Sequence, residues 1–119
     1  MSAISIIIPT AATRDRAGSL GRALDSALGQ EGVRPDVIVV ANGPNCDPDI
    51  LAALARRRDV RLIRRHEAGL GASISTGRDH VNAPFFAELD DDDALLPGAL
   101  ATRLARMRVE PTVDAVVTT

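Results

Sequence analysis

The sequence has no lysine, tyrosine or tryptophan and only two phenylalanines, and each shortage closes off a chemistry. Without lysine, lysine-based catalysis is excluded; all fourteen basic residues are arginine. Without a supply of aromatic rings, stacking of bases or sugars on ring faces cannot be a main binding device. The one cysteine, Cys46, excludes an internal disulfide and a cysteine-rich metal site, and fits a reduced loop thiol. No segment reaches the roughly 18 apolar residues needed to span a bilayer. The run Ile4-Ser5-Ile6-Ile7-Ile8 lacks a preceding basic region and stops at Pro9, unlike a signal peptide. A formal net charge of −2 argues against a general nucleic-acid binder. These absences together predict a cytoplasmic chain, with the cytoplasmic face of the membrane as the alternative site of action.

Against this background, 45% hydrophobic residues in a chain of 119 are enough for a packed core. The expectation is a single α/β domain, residues 1–119, standing as the first part of a longer protein. Ile4 to Ile8 is a nearly continuous β-branched run, as in a strand covered on both faces of a parallel sheet. Pro9 to Thr13 is expected to break it. A helix over Ser19–Gly29 places Leu20, Ala23, Leu24, Ala27 and Leu28 on one face. Gly32 to Pro35 reads as a turn, and Val37-Ile38-Val39-Val40 as a second buried strand running into the turn-forming residues Ala41 to Asn45. Asp47-Pro48 opens a second helix, a capping acid followed by proline at the first position.

Further strands are expected at Val60–Ile63, Phe85–Leu89 and Val113–Val117. Helices are expected at Ala72–Val81 and Pro97–Met107. The alternation of strand and helix calls for a mostly parallel sheet with helices on both faces. In such sheets ligands sit outside the carboxyl ends of the strands. That brings the Pro9–Thr13 loop, the Ala41–Asn45 loop and the segment after Leu89 to one rim.

This last segment is the most chemically marked in the chain: Asp90, Asp91, Asp92 and Asp93 in succession. Neighbouring carboxylates repel by roughly 0.5–1 kcal/mol per pair even in a water-like dielectric. Placed where a buried strand surfaces, they call for a cation, and oxygen-only ligands select a hard ion such as Mg²⁺ or Mn²⁺. The plainer reading is a solvated acidic turn that caps the next helix, although a cap needs one carboxylate rather than four. Other nucleotide motifs are missing. Gly69-x-Gly71 with Gly77 is not a dinucleotide fingerprint, and no phosphate-loop sequence occurs. The arginines between Arg56 and Arg65 read as compensation of a helix end and a solvated strand edge, and His66 and His80 as surface or loop residues.

Five stretches carry a resemblance. They are Ser5-Ile6-Ile7-Ile8-Pro9-Thr10, Leu24-x-Ser26-x-Leu28-x-Gln30, Asp36-Val37-Ile38-Val39-Val40, Gly69-x-Gly71, and Phe85-x-x-x-Leu89-Asp90-Asp91-Asp92-Asp93-x-x-x-Pro97-Gly98-Ala99-Leu100. In order and spacing they resemble family 2 glycosyltransferases of the GT-A fold, a Rossmann-like α/β sheet. The resemblance implies a nucleotide-diphospho-sugar donor and a Mn²⁺ or Mg²⁺ cofactor. It also implies an unknown acceptor: a saccharide, a lipid-linked molecule or a small molecule. By the same resemblance, Asp90 and Asp92 would hold the metal, their alternation in an extended segment pointing both to one side with Asp91 opposite. Pro9, Thr10, Arg14 (or, in its place, Arg16), Asn42, Gly71, Arg78, Asp90 and Asp91 would contact the nucleotide-sugar. Transfer would be inverting, with the catalytic base expected beyond Thr119.

Departures from the pattern leave the donor base open between uridine, thymidine and guanosine. Ala41-Asn42-Gly43-Pro44 stands where two acids and Gly-Ser are usual. Ala11-Ala12 replaces Tyr-Asn, and Ile74-Ser75 replaces Arg-Asn. The same departures suit an alternative, a nucleotide-binding or scaffold module that has lost catalysis. Homo-oligomerisation stays open.

Overall fold

β-branched residues claim the middle of the molecule. In the computed structural model, which describes residues 1–109, the strand β1 (Ser2–Thr10) is hydrogen-bonded on both sides and buried from Ile4 onward. It pairs in parallel with β2 (Val33–Asn42) and with β4 (Phe85–Glu88), while β3 (Val60–Arg65) pairs in parallel with the far side of β2. The strand order is β3-β2-β1-β4. The chain therefore builds outward from β1 in one direction, then returns to add β4 on the other side.

The helices follow from this order. α1 (Ala17–Leu28), α2 (Pro48–Arg56) and α4 (Ala99–Val109) share one face. There Leu20, Ala23, Leu24, Leu54, Leu100 and Leu104 close over Ile4, Ile6, Ile8, Val37 and Val39. α3 (Leu70–Asp79) covers the opposite face, over Ile7, Ile38 and Val40. Alternating strand residues thus feed two cores. α3 comes unusually near the sheet because Gly77 has no side chain: a Cβ there would lie 2.5 Å from Ile7 Cγ2 and 3.3 Å from Val40 Cγ2.

Several boundaries differ from expectation. Pro9 and Thr10 do not break β1 but belong to it, in register with Val40 and Ala41. Leu89 N–H donates to the Ile7 carbonyl, so Ile7 faces β4. Pro9 has the same parity, and its missing N–H falls on that side, beyond the paired end of β4, where no ladder bond is lost. Pro35 likewise lies inside β2, opposite Ile4, rather than in a turn. α3 begins at Leu70 and takes in Gly71, and α4 begins at Ala99, two residues after Pro97. The expected strand Val113–Val117 lies outside the described residues. No helix among the described residues is long and apolar enough to cross a membrane.

The arginines of β3 and its approach are largely structural. Arg61 forms a two-pronged pair with Asp36 at 3.0 and 2.7 Å and donates to the His80 carbonyl at 2.7 Å, while Ser5 Oγ donates to the same carboxylate at 2.8 Å. These bonds knit the amino-terminal ends of β1, β2 and β3 to the end of α3. Arg64 donates to the carbonyls of Ala41 and Gly43 at 3.1 and 2.7 Å, steadying the loop at the other end of β2.

Candidate donor-binding site

The reversal of strand order falls between β1 and β4, and a crevice opens outside the carboxyl ends of those strands. Its floor is tied together by Thr10. The Thr10 hydroxyl donates to Asp91 Oδ2 at 2.7 Å and accepts from the Ala12 N–H at 3.0 Å. The first bond spans 81 residues of sequence and joins the ends of the two strands that flank the reversal. Asp91 is buried for this reason, and its other oxygen accepts from Arg16 Nη1 at 3.1 Å.

Asn42 ties in the third and fourth segments. Its Nδ2 donates to the Thr10 carbonyl at 3.1 Å, and its Oδ1 accepts from the Gly69 N–H at 3.4 Å. Gly69 stands at the mouth of α3 with φ +148°, a conformation that a side chain would oppose. Together Pro9, Thr10, Ala11, Arg16, Asn42, Leu70 and Asp91 line a shallow cavity of about 160 Å³. Two carbon-rich walls, Pro9 with Ala11 and the exposed Leu70, flank a polar floor.

Beside this cavity the acidic run forms a turn, not the extended segment that the sequence suggested. The Asp93 N–H donates to the Asp90 carbonyl at 3.1 Å, folding the chain across Asp91 and Asp92. Asp91 turns inward, opposite its neighbours. Asp90, Asp92 and Asp93 stay exposed and can each bring a carboxylate oxygen within 4.8 Å of the others. The pair Asp90 and Asp92 therefore gains a third member, Asp93, through the turn. The exit of the chain is held as firmly as its entry: Leu95 N–H donates to Ser26 Oγ at 3.0 Å. Gln30, buried, donates to the Leu96 carbonyl at 2.9 Å and accepts from the Leu100 N–H at 3.1 Å.

Other residues named from the sequence lie elsewhere. Arg14 points away from the cavity, its Nε donating to Asp47 Oδ2 at 2.7 Å and its Nη2 to Asp49 at 3.4 Å. That contact raises the Arg14 pKa and holds the Asp47 carboxyl below its usual range. Arg14 and Arg16 sit in one 3₁₀ turn, where residues two apart point about 120° away from each other, so only one of them reaches the cavity. Arg78 is carried towards the far end of α3 and stacks on Phe86, its guanidinium carbon 5.3 Å from the ring centroid. Gly71 is exposed near the start of α3 with open space around it. Ala11 and Leu70 were not foreseen as lining residues, because neither carries a polar group that would mark it in a sequence.

The chain matches the profile of Glycosyl transferase family 2 over residues 5–119. It belongs to that family. Among curated proteins, this family 2 chain is 34% identical over 97 residues to the succinoglycan biosynthesis protein ExoO of Rhizobium meliloti, a match covering 80% of the chain and 28% of ExoO. It is 32% identical over 111 residues to an uncharacterised protein of Mycobacterium tuberculosis, covering 92% of the chain and 34% of that protein. The chain thus spans about a third of the length of these relatives. Among solved structures, residues 1–349 of S. aureus TarS superpose with a TM-score of 0.71 at 16% identity, covering 98% of this chain and 38% of that one. The same TarS fragment in complex with UDP-GlcNAc gives 0.72 at 15%, covering 98% and 37%. These likenesses establish the fold, a portion of the GT-A architecture.

Proposed function

We propose that this chain is the donor- and metal-binding half of an inverting, metal-dependent glycosyltransferase that uses a nucleotide-diphospho-sugar. The observation that carries the reading is the adjacency of two features at the strand-order reversal. A cavity with apolar walls and a polar floor adjoins three exposed carboxylates whose oxygens can come within 4.8 Å of one another. A nucleoside would lie against Pro9, Ala11 and Leu70, and its diphosphate would extend over the acidic turn.

The donor set suits a hard divalent ion: oxygen ligands only, clustered by a turn, and exposed so that water can complete the coordination. Asp90, Asp92 and Asp93 would hold Mg²⁺ or Mn²⁺, which as a Lewis acid would neutralise charge on the departing diphosphate. The chain's own residues do the positioning. Asp91 and Thr10 fix the turn against β1, Ser26 and Gln30 hold the segment that leaves it, and Asn42 sets the distance between β1 and the mouth of α3. The reading assigns donor and metal binding to these residues and no catalytic base.

The test is calorimetric titration of UDP, TDP and GDP, with and without Mn²⁺, against the parent chain and Asp92→Ala. Removing one of three carboxylates should weaken metal-supported nucleotide binding on the order of tenfold or more. If no nucleotide binds in a Mn²⁺-dependent way, the reading fails. The TarS fragment in complex with UDP-GlcNAc makes UDP the first nucleotide to try.

A further inference from the structure

We infer that Arg16 is a resident counter-cation of the acidic turn, displaced from Asp92 by the divalent ion and then turned to the donor's diphosphate. The inference rests on the donor-binding reading above and adds to it a residue and an order of events.

The grip on Arg16 is uneven. Its Nη1 lies 3.1 Å from Asp91 Oδ1 but 3.7 Å from Asp92 Oδ2, beyond hydrogen-bonding reach. Asp91 is buried and held from its other side by Thr10, so that anchor stays. Asp92 has 61% of its side chain exposed and belongs to the group whose oxygens can converge on one point. A divalent ion bound there takes the Asp92 carboxylate away from a guanidinium that held it loosely. Arg16 itself lines the cavity with 45% of its side chain exposed, and both of its carboxylate contacts run through Nη1. The rest of its planar fork is the geometry that matches phosphate oxygens.

Charge dictates the sequence. Four carboxylates against one guanidinium leave the turn strongly negative, so a diphosphate arriving without an ion is repelled. Once a divalent ion is in place the turn approaches neutrality, and Arg16 becomes the cation that faces the cavity. Arg16 therefore opposes the metal and favours the nucleotide. A residue that merely supported the fold would weaken both when removed.

The experiment titrates MnCl₂ alone into the 119-residue chain and, at saturating Mn²⁺, whichever of UDP, TDP and GDP the parent binds. It compares the parent, Arg16→Gln, Arg16→Lys and the charge-matched control Arg58→Gln, an exposed arginine between α2 and β3. Arg16→Gln should bind Mn²⁺ roughly three- to tenfold more tightly, as loss of a like charge several ångströms from a divalent ion predicts. It should bind the nucleoside diphosphate about tenfold more weakly, as expected for one charge-assisted contact. Arg16→Lys should keep the parent's Mn²⁺ affinity within about twofold but regain only part of the nucleotide affinity, because an ammonium lacks the fork. It also carries the test if Arg16→Gln does not fold. The control should move neither. Opposite shifts in the Gln variant support the inference; two losses together, or no change in either, overturn it while the donor-binding reading stands. A parent that binds no nucleotide with Mn²⁺ overturns both.

Discussion

Thr10→Val is the most direct probe of how the site is held. Valine keeps the shape of threonine and removes one hydroxyl, which makes two buried hydrogen bonds: to Asp91 Oδ2 at 2.7 Å and from Ala12 N–H at 3.0 Å. Loss of a bond to a charged partner costs about 1.5–3 kcal/mol, and a buried amide left without a partner about 1–3 kcal/mol. The two bonds share an oxygen and do not add fully, so a net loss of about 3 kcal/mol is expected. With a urea slope of about 1.5 kcal/mol/M for a small domain, the unfolding midpoint should fall by about 2 M. Because the chain has neither tryptophan nor tyrosine, far-UV circular dichroism is the suitable signal. In a double-mutant cycle with Asp91→Asn the two sites should couple by about 1 kcal/mol or more. A midpoint shift below about 0.3 M in Thr10→Val, or additive single effects, would refute the claim that this bond braces the crevice.

Four further outcomes are expected. Gly77→Ala should destabilise by about 1–2 kcal/mol, since a Cβ 2.5 Å from Ile7 Cγ2 overpacks the α3 face by more than the gain in helix propensity. Gly71→Ala in the same helix meets nothing within 4 Å and should stabilise by up to about 1 kcal/mol; urea denaturation of both variants reads the contrast. Leu100→Ala should cost about 2–5 kcal/mol by the same assay, because Leu100 is 1% exposed in the core beneath α4. Asp47 has its pKa lowered chiefly by the Arg14 hydrogen bond, so its contribution is complete above the ordinary carboxylate range and lost as pH falls through the folded value. The stability gap between parent and Asp47→Asn should therefore be constant near neutrality and close below about pH 4, as thermal melts across pH would record.

The strands were readable because Ile4–Ile8 and Val37–Val40 are β-branched runs, and α1 because its apolar residues recur at helical spacing. Their order was enough to bring Thr10, Asn42 and the aspartates to one rim. What escaped the sequence was geometry decided by neighbours. Pro9 and Pro35 are local breaking signals, yet each sits in a parallel register, Pro9 because its absent N–H falls past the end of β4. The four aspartates looked extended when read singly; a single N–H from Asp93 to Asp90 makes them a turn and recruits Asp93. Arg14 and Arg16 were equivalent as letters. The 3₁₀ turn sends one to Asp47 and the other to Asp91.

The bonding around Asp36 implies a division of labour between the two ends of the sheet. At the amino-terminal end, Ser5, Asp36, Arg61 and the His80 carbonyl form one closed set of hydrogen bonds, and the chain then passes through Asn82 and Ala83 before entering β4. The carboxylates of the acidic turn take their position from the register of β4 on β1, fixed by Ile4 opposite Phe85 through Ile7 opposite Glu88. Added length at 82–83 would bulge into solvent and leave that register alone, whereas one residue gained or lost inside β4 would carry the acidic turn out of step with Thr10, which holds Asp91. Tags, reporters or inserted domains thus have a natural port of entry at 82–83, far from the crevice, while the four residues of β4 act as the ruler by which the site is measured.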